Sequence, residues 1–409
     1  MKNVGELKNC YGCGVCALAC PKKILDLQLN LEGFYEPFLI DSKKCVNCGL
    51  CLEVCSFMNP KISLEREETT SYAGYSKDLK IRRKCSSGGV AYEISRYLLE
   101  HDYEVCGVRY NVGKDRVEHF IAKDSKELEQ TIGSKYLQSY TVDALKQIDK
   151  NKKNLIIGSP CQIDSLRRYI RKFKCEDNFV LIDFFCHGVP TALLWNKYKK
   201  WAEGKVGNLT FVSWRNKWNG WHDSWAMGIS GSQYDWHDSY NMLIGGEKNK
   251  LESRWSNGDM FFNLFLGDCC LGKQCYDSCK FKQTYSSADI RIGDLWGKTF
   301  QHDNDGVNGI ITLTYRGRDI LQHSNCVLQE VALSTIMEGQ MKKNAIKTYA
   351  YKVVMNALRT DKTAIEECNN RFIRISWILR NVNRIKHPMA LVKFIYLKFK
   401  NGCKNNNLS

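Results

Sequence analysis

The chain has 409 residues, a net charge of +16 and 20 cysteines. That length supports two or three domains around a substantial core, and the cysteines point to a reducing compartment rather than to the disulfide scaffold of a small secreted domain. No run approaches the ~18 apolar residues of a membrane span, and Met1-Lys2-Asn3-Val4-Gly5-Glu6 has no apolar stretch behind its lysine, so no signal peptide and a cytoplasmic location are expected.

The first predicted elements are two cysteine runs of identical spacing, Cys10-Tyr-Gly-Cys13-Gly-Val-Cys16-Ala-Leu-Ala-Cys20-Pro21 and Cys45-Val-Asn-Cys48-Gly-Leu-Cys51-Leu-Glu-Val-Cys55. Three thiolates two residues apart can wrap three irons of a cubane, while the fourth lies too far along its own run and reaches the other cluster. The expected wiring is Cys10, Cys13, Cys16 and Cys55 on one [4Fe–4S] cluster and Cys45, Cys48, Cys51 and Cys20 on the second. Disulfides and structural zinc do not account for duplicated triple spacing. Residues 1–60 therefore read as a bacterial-type two-cluster ferredoxin domain. Between the runs, Gly33 to Ile40 is predicted as a small strand near the clusters.

Lys61 to Lys80 is charged and lacks apolar periodicity until Ser71, so residues 61–79 are expected to be a linker or a lead-in strand. From residue 80 the pattern changes to alternating helices and strands. Ser86-Ser87-Gly88-Gly89 opens a helix with apolar residues at Val90, Ile94, Tyr97 and Leu98, and a strand follows from Tyr103 to Tyr110. The strand Asn154–Ile157 ends in Gly158-Ser159-Pro160-Cys161-Gln162 and a helix from Ile163 to Lys172. The strand Phe179–Phe185 ends in Cys186-His187-Gly188-Val189-Pro190 and a helix from Ala192 to Ala202. Strand–loop–helix units in succession imply a parallel sheet with ligands bound beyond the carboxyl ends of the strands. Residues 300–330 read as strands, and the remainder as helix.

Charge is unevenly distributed. Residues 1–60 carry six Lys/Arg and six Asp/Glu, whereas residues 341–409 carry fifteen Lys/Arg and three Asp/Glu. A nucleic-acid surface would spread basic charge over the body of the protein, so nucleic acid is not an expected partner. Trp214-Arg-Asn-Lys-Trp-Asn-Gly-Trp-His222 interleaves cations with aromatics, which suits an acidic cofactor or an exposed loop as well as base stacking. Residues 388–400 form an apolar stretch interrupted only by Lys393, Lys398 and Lys400. This stretch is too short to span a bilayer, and suits either a terminal helix packed on the protein or peripheral contact with an anionic membrane.

Small residues at the strand-to-helix corners let backbone approach a ligand, and helix N-termini favour phosphate. Cys275 and Cys279 lie one helical turn apart and suit a further metal site completed by Cys270, Cys161 or Cys186, or else are buried free thiols. No Gly-x-Gly-x-x-Gly follows a strand and no P-loop is present, which argues against a Rossmann nicotinamide site and against ATP chemistry.

Taken together, Ser86-Ser-Gly-Gly89, Gly133-Ser-Lys-Tyr-Leu-Gln-Ser139, Gly158-Ser-Pro-Cys-Gln162, Cys186-His-Gly188 and Ala288-Asp-Ile-x-x-Gly-Asp294-x-Trp-Gly297 resemble the beta subunits of coenzyme F-420 hydrogenases and dehydrogenases. The resemblance runs in order from the ferredoxin domain to about residue 320 and is similar to a bacterial branch associated with polysaccharide synthesis. It implies iron–sulfur clusters feeding a flavin, FAD, that exchanges hydride with the deazaflavin coenzyme F-420 or reduces a substrate directly. By motif match it implies flavin contacts at Ser86, Ser87, Gly88, Gly89, Cys161, Gln162, His187 and Gly188. The family's cysteine pair is Cys-x-x-Cys, and the three residues between Cys275 and Cys279 depart from it.

The expected architecture is an α+β two-cluster ferredoxin domain followed by an α/β domain with a mainly parallel sheet and a helical C-terminal tail. The boundaries are 1–60, a linker at 61–79, a flavin domain at 80–320 and a basic helical region at 321–409. The expected activity is that of an iron–sulfur flavoprotein oxidoreductase supplied by a donor such as soluble ferredoxin and acting on a small molecule or glycan precursor. His187 and Asp294, in loops at the ligand-facing end, are the candidate catalytic proton donors. A non-catalytic electron-transfer subunit is the alternative.

Overall fold

The structure, a computed structural model, describes residues 2–64, 67, 69–232, 251–276, 279–340 and 343–386. In the N-terminal domain β1 (Leu25–Leu29) and β2 (Tyr35–Leu39) form an antiparallel hairpin between two short helices, Val15–Ala19 and Leu50–Glu53. Each helix is preceded by a glycine in the left-handed region, Gly14 at φ +74° and Gly49 at φ +78°. Glycine takes that conformation at little steric cost, so the same backbone turn recurs within each cysteine run.

The remaining strands are β3 (Thr70–Ser76), β4 (Glu104–Asn111), β5 (Arg116–Ala122), β6 (Asn154–Ile157), β7 (Phe179–Phe184), β8 (Leu209–Ser213), β9 (Ala226–Gly231), β10 (Leu251–Arg254), β11 (Ile290–Asp294), β12 (Asn308–Thr312) and β13 (Cys326–Glu330). Eight of them build one sheet in the order β13-β3-β12-β11-β7-β6-β4-β5. The pairings β4–β6, β6–β7 and β7–β11 are parallel, and the other four are antiparallel. The sheet is therefore mixed, not mainly parallel: only its centre is built from the strand–helix–strand units visible in the sequence, and antiparallel strands flank that centre on both sides.

Successive strand residues point to opposite faces. Leu155, Val180 and Ile182 pack with Val90, Ile94 and Leu98 of the helix Val90–Leu99 and with Ile320 and Leu321 of the helix Tyr315–His323. On the other face Ile156, Phe179 and Leu181 pack with Ile163, Leu166 and Ile170 of the helix Pro160–Lys172, and with Val15, Ala19 and Val54 of the ferredoxin domain. The ferredoxin domain is thus part of the sheet's second covering layer. A separate core joins the antiparallel sheet β10-β9-β8 to the helices Ala192–Val206, Met260–Leu266, Tyr349–Arg359 and Ile365–Lys386.

Two sequence expectations change here. The interval 61–79 contains β3, an internal strand between β12 and β13, so the sheet spans residues 70–330 and overruns the expected limits of 80 and 320. Residues 300–330 hold a helix, Tyr315–His323, between β12 and β13, because the apolar Ile320 and Leu321 cover the sheet. Residues 388–400 lie outside the described residues. Among the described residues no helix is long and apolar enough to cross a membrane.

Candidate redox site

The cysteines of the two runs surround two cavities. Cys10, Cys13, Cys16 and Cys55 line one of about 340 Å³, together with Val4, Leu7, Leu27 and Phe57. Cys20, Cys45, Cys48 and Cys51 line another of about 380 Å³. In each, the last cysteine of one run stands with the first three of the other. Among the described residues no three Cys, His, Asp or Glu side chains draw together as a site for a single metal ion. The thiols ring open cavities instead, as a body wider than one ion requires. Burial pushes the Cys10 thiol up to about 12, with the neighbouring Cys13 and Cys55 adding to the shift, and pushes Cys55 up to about 11. Thiolates in such places need nearby positive charge, which the irons of a [4Fe–4S] cluster supply. Cavity shape and donor set both fit the cluster.

A further set of four cysteines comes from three segments: Cys161 from the first turn of the helix Pro160–Lys172, Cys186 from the loop after β7, and Cys275 and Cys279 from the connection that leads to β11. Ionisation of any one of these thiols is opposed by its neighbours: Cys186 and Cys275 raise Cys161, Cys279 raises Cys186, and Cys186 and Cys279 raise Cys275, each adding to the larger effect of burial. Burial raises the Cys275 thiol to about 12. A Cβ on Gly188, at φ +142°, would stand 3.2 Å from the Cys275 Cβ, so glycine there lets the Cys186 loop approach Cys275. Cys270 does not join the set; its thiol faces Leu264 O within the core. The set adjoins the ferredoxin domain. Cys161 also feels Cys13, and Tyr11, flanked by Cys10, packs edge-on against Phe281 at 5.8 Å. Cys16 in turn feels Cys51 of the outer cavity.

The carboxyl ends of β6, β7 and β11 lie on one edge of the sheet, and β3 ends on that edge as well, because Gly74, Asn308 and Asp294 share one register row. Loops gather there. Ser134 donates to Ser86 Oγ through its backbone N–H at 2.8 Å, and Gln162 Nε2 donates to Ser139 Oγ at 3.1 Å, so the segment 134–139 ties the Ser86 corner to the Cys161 corner. Arg215, almost fully buried, donates to Asp294 Oδ2 at 2.6 Å and lies 4.9 Å from the Trp225 ring centre. Trp221 Nε1 donates to the other Asp294 oxygen at 3.1 Å and stacks on Trp296. Lys217 Nζ donates to Arg82 O and Ser87 O at 2.6 and 2.7 Å and to Asp305 O, and its burial lowers it to about 8. Lys135, held on three carbonyls, is lowered by burial to about 7. His119 lies against the end of β6, with Nε2 3.1 Å from Ile157 O; burial lowers it to about 4, which keeps the imidazole neutral.

Among the residues expected to meet a flavin, several have their polar groups engaged within the protein. Ser87 Oγ donates to Val307 O at 2.9 Å, and Gln162 Oε1 accepts the Ser159 N–H at 2.8 Å, capping the helix behind it. Gly88 faces protein: a Cβ there would lie 2.6 Å from Gly74 O and 2.8 Å from Asn308 Oδ1. Gly89, at φ +87°, caps the helix Val90–Leu99 without a side chain. Cys161 and Gly188 stand with the four-cysteine set. His187 Nε2 lies 2.8 Å from Asp268 Oδ1, out of line for a hydrogen bond, and its ring packs edge-on to Phe265. Asp294, read from sequence as a proton donor, instead accepts from Arg215 and Trp221 and anchors a buried guanidinium.

The stretch Trp214–His222 is not an exposed loop. Trp214, Arg215 and Trp221 are almost fully buried, which removes them as a base-stacking surface. His119 carries no signal in the sequence, whereas the Gly133–Ser139 motif takes in Lys135 and Tyr136 and the Trp214–His222 stretch takes in Arg215. Among the described residues, the buried Arg215 Nε and the ring nitrogen His119 Nδ1 have no hydrogen-bond partner. In the neutral ring that donates from Nε2, Nδ1 is an acceptor. A buried donor and a buried acceptor without partners at this end of the sheet are compatible with a heteroaromatic group such as a flavin.

Residues 9–59 match the 4Fe-4S dicluster domain. Residues 71–146 and 151–334 match the N- and C-terminal parts of the coenzyme F420 hydrogenase/dehydrogenase beta subunit. A coenzyme F420-dependent sulfite reductase of Methanocaldococcus jannaschii is 30% identical over 166 residues, 39% of this chain and 25% of that protein. NADH-quinone oxidoreductase subunit I of Pelobacter propionicus is 27% identical over 77 residues, 17% of this chain and 39% of that one. The chain thus spans about a quarter and about two fifths of these relatives' lengths. A chain of the F420-reducing [NiFe] hydrogenase complex from Methanosarcina barkeri superposes over 78% of this chain and 94% of its own, at a TM-score of 0.44 and 13% identity.

Proposed function

The chain belongs to the coenzyme F420 hydrogenase/dehydrogenase beta subunit family and carries a 4Fe-4S dicluster domain, and from that premise we propose that it is an iron–sulfur flavoprotein oxidoreductase. Its acceptor is a deazaflavin such as coenzyme F-420, or a small-molecule or glycan-precursor substrate reduced directly. Its electrons come from a soluble carrier such as ferredoxin.

The observation that carries this reading is the succession of three four-cysteine groups. The helix Val15–Ala19 carries Cys16 of the inner set and ends at Cys20 of the outer one, and Cys13 Sγ of the inner set donates at 3.3 Å to Ser165 Oγ on the helix that carries Cys161. Clusters pass electrons singly, and a flavin, when bound, accepts them singly and delivers them in pairs. The chain's own residues hold that site: Ser86 and the 134–139 segment would bound it, Arg215 Nε would donate to it and His119 Nδ1 would accept from it. Because His119 is neutral and buried, it is suited to orienting a bound ring rather than to supplying a proton at neutral pH. The tail adds peripheral membrane contact, since the helix Ile365–Lys386 that leads to it exposes Ile373, Trp377 and Ile378 beside Arg374 and Arg380.

The second reading, a non-catalytic electron-transfer subunit, is favoured by one fact: the chain matches only a quarter of the sulfite reductase, as one module of a longer enzyme would. Cofactor content after anaerobic purification separates the two. About one FAD per chain, with turnover of an artificial acceptor in the absence of any partner, is expected. Clusters without flavin would favour the subunit, and neither iron nor flavin would overturn both.

A further inference from the structure

The ferredoxin domain is neutral in total, yet its charges are segregated in space. Four of its six acids are held toward the rest of the protein or buried. Asp26 accepts from Tyr140 at 2.6 Å, Glu32 pairs with Lys273 and Arg359, Glu53 pairs with Lys172, and Glu36 is buried, accepting the Asn9 N–H. Those acids contribute little to the potential on the outer face.

That outer face surrounds the second cavity. Lys2 and Lys22 line it, and Lys43 and Lys44 directly precede Cys45. All four lysines are exposed, as are Cys48 and Val46, the latter at 58%. The acids left nearby are Asp41, 3.3 Å from Lys44, and Glu6. The inner cavity differs: Cys10 and Cys16 are buried, and the sheet domain covers its far side through Tyr11 and Phe281. An electron arriving from outside the protein therefore meets the outer cysteine set first, across a small apolar spot within a ring of cations.

We propose that this face, centred on Cys48 and Val46 and ringed by Lys2, Lys22, Lys43 and Lys44, is the docking surface for a small acidic electron-carrier protein. The proposal rests on the reading that the dicluster domain holds its clusters. Complementary charge raises the encounter rate and orients the partner, and rim charges act mostly through association, so salt dependence is its signature. On transfer the carrier loses one electron and the cluster gains it, with no bond made or broken.

The test uses the anaerobic holoprotein, with its iron counted, and an acidic [2Fe–2S] ferredoxin as probe. Binding is measured by calorimetry with both partners oxidised, at about 0.02 M and about 0.5 M salt. Affinity should fall on the order of tenfold or more at the higher salt. The triple variant Lys22→Glu, Lys43→Glu, Lys44→Glu should lose a similar factor at low salt while keeping its iron. Reversal of three exposed lysines elsewhere, Lys123, Lys126 and Lys200, should leave binding unchanged. Reduction of the triple variant by the methyl viologen radical cation should be as fast as in the parent or faster. Equal binding by the two triple variants, or salt-independent binding, overturns the docking surface. A parent protein without iron overturns instead the cluster reading beneath it.

Discussion

Ser56 Oγ donates to Asp164 Oδ2 at 2.6 Å, joining the residue after Cys55 to the helix that begins beside Cys161. Asp164 is fully buried and also accepts from the Ser63 N–H at 2.8 Å and from Ser287 Oγ at 2.5 Å, with Arg168 at 3.2 Å and Lys280 at 3.3 Å. Burial opposes its ionisation, but Lys280 and the hydrogen bonds from Ser287 and Ser56 outweigh it and hold the carboxyl below its usual range. Asp164→Ala would leave two cations and three donors without their shared acceptor. A loss on the order of 3–5 kcal/mol is expected in denaturant unfolding, with faster bleaching of the cluster absorbance. Because the folded carboxyl is depressed, its contribution is complete above the unfolded value near 3.8 and disappears as pH falls through the lower folded one. Asp164→Asn should flatten that acid limb.

The crossed wiring makes an additivity prediction. Cys20→Ser and Cys48→Ser act on one cavity, so the double variant should lose no more iron than either single one, about four per chain. Cys20→Ser with Cys13→Ser should lose about twice as much. The reverse pattern of iron counts would sink the crossed assignment.

The sheet-edge set predicts a total near twelve irons, about eight from the dicluster domain and about four more. Cys275→Ser should remove the last four and leave the dicluster spectrum in place. A parent protein with about eight irons would show these thiols to be metal-free.

Gly88 and Ser86 should behave differently although they stand two residues apart. Gly88→Ala places a methyl against Gly74 O and Asn308, so it should destabilise the fold by about 1–3 kcal/mol whether or not flavin is bound. Ser86→Ala removes a hydroxyl at the partly exposed corner. Because that hydroxyl accepts the Ser134 N–H, the variant should lose about 1 kcal/mol of stability, and it should lower co-purifying flavin in the protein that remains folded. Full flavin content in Ser86→Ala would place the flavin elsewhere.

The tail predicts salt-sensitive sedimentation with anionic vesicles, lost on deletion of residues 384–409. Each basic residue near the surface contributes on the order of 1 kcal/mol. Intact protein that stays in the supernatant at low salt would reduce the tail to a structural element.

How much of this was readable in the sequence depends on how local each feature is. Cluster ligands repeat at fixed short spacing, so Cys10 to Cys20 and Cys45 to Cys55 announce themselves, as do β6 and β7 with their compact apolar runs and following helices. The four-cysteine set is legible only in part: Cys275 and Cys279 stand out as a pair, but which of Cys270, Cys161 and Cys186 join them is decided by the folded sheet, which brings up Cys161 and Cys186 and leaves Cys270 in the core. Thr70-Ser-Tyr-Ala-Gly-Tyr-Ser76 reads as a lead-in because its residues are small or polar. Neighbours on both sides, rather than its own hydrophobicity, make it an internal strand. Arg215 and Lys217 look like surface cations until Asp294 and three backbone carbonyls are seen to receive them.

The position of β3 also bears on how the chain is made. It leaves the ribosome directly after the ferredoxin domain, yet Gly74 must wait for Asn308, and Ser76 for Cys326, before either of its edges is closed. Such distant pairing slows folding and leaves strand edges open to other chains in the meantime. A chain stopped near residue 300 would carry β3 with neither neighbour, and aggregation rather than a soluble fragment is the expected fate. Chaperone capture over that interval would shield the open edges of β3 until β12 and β13 are made.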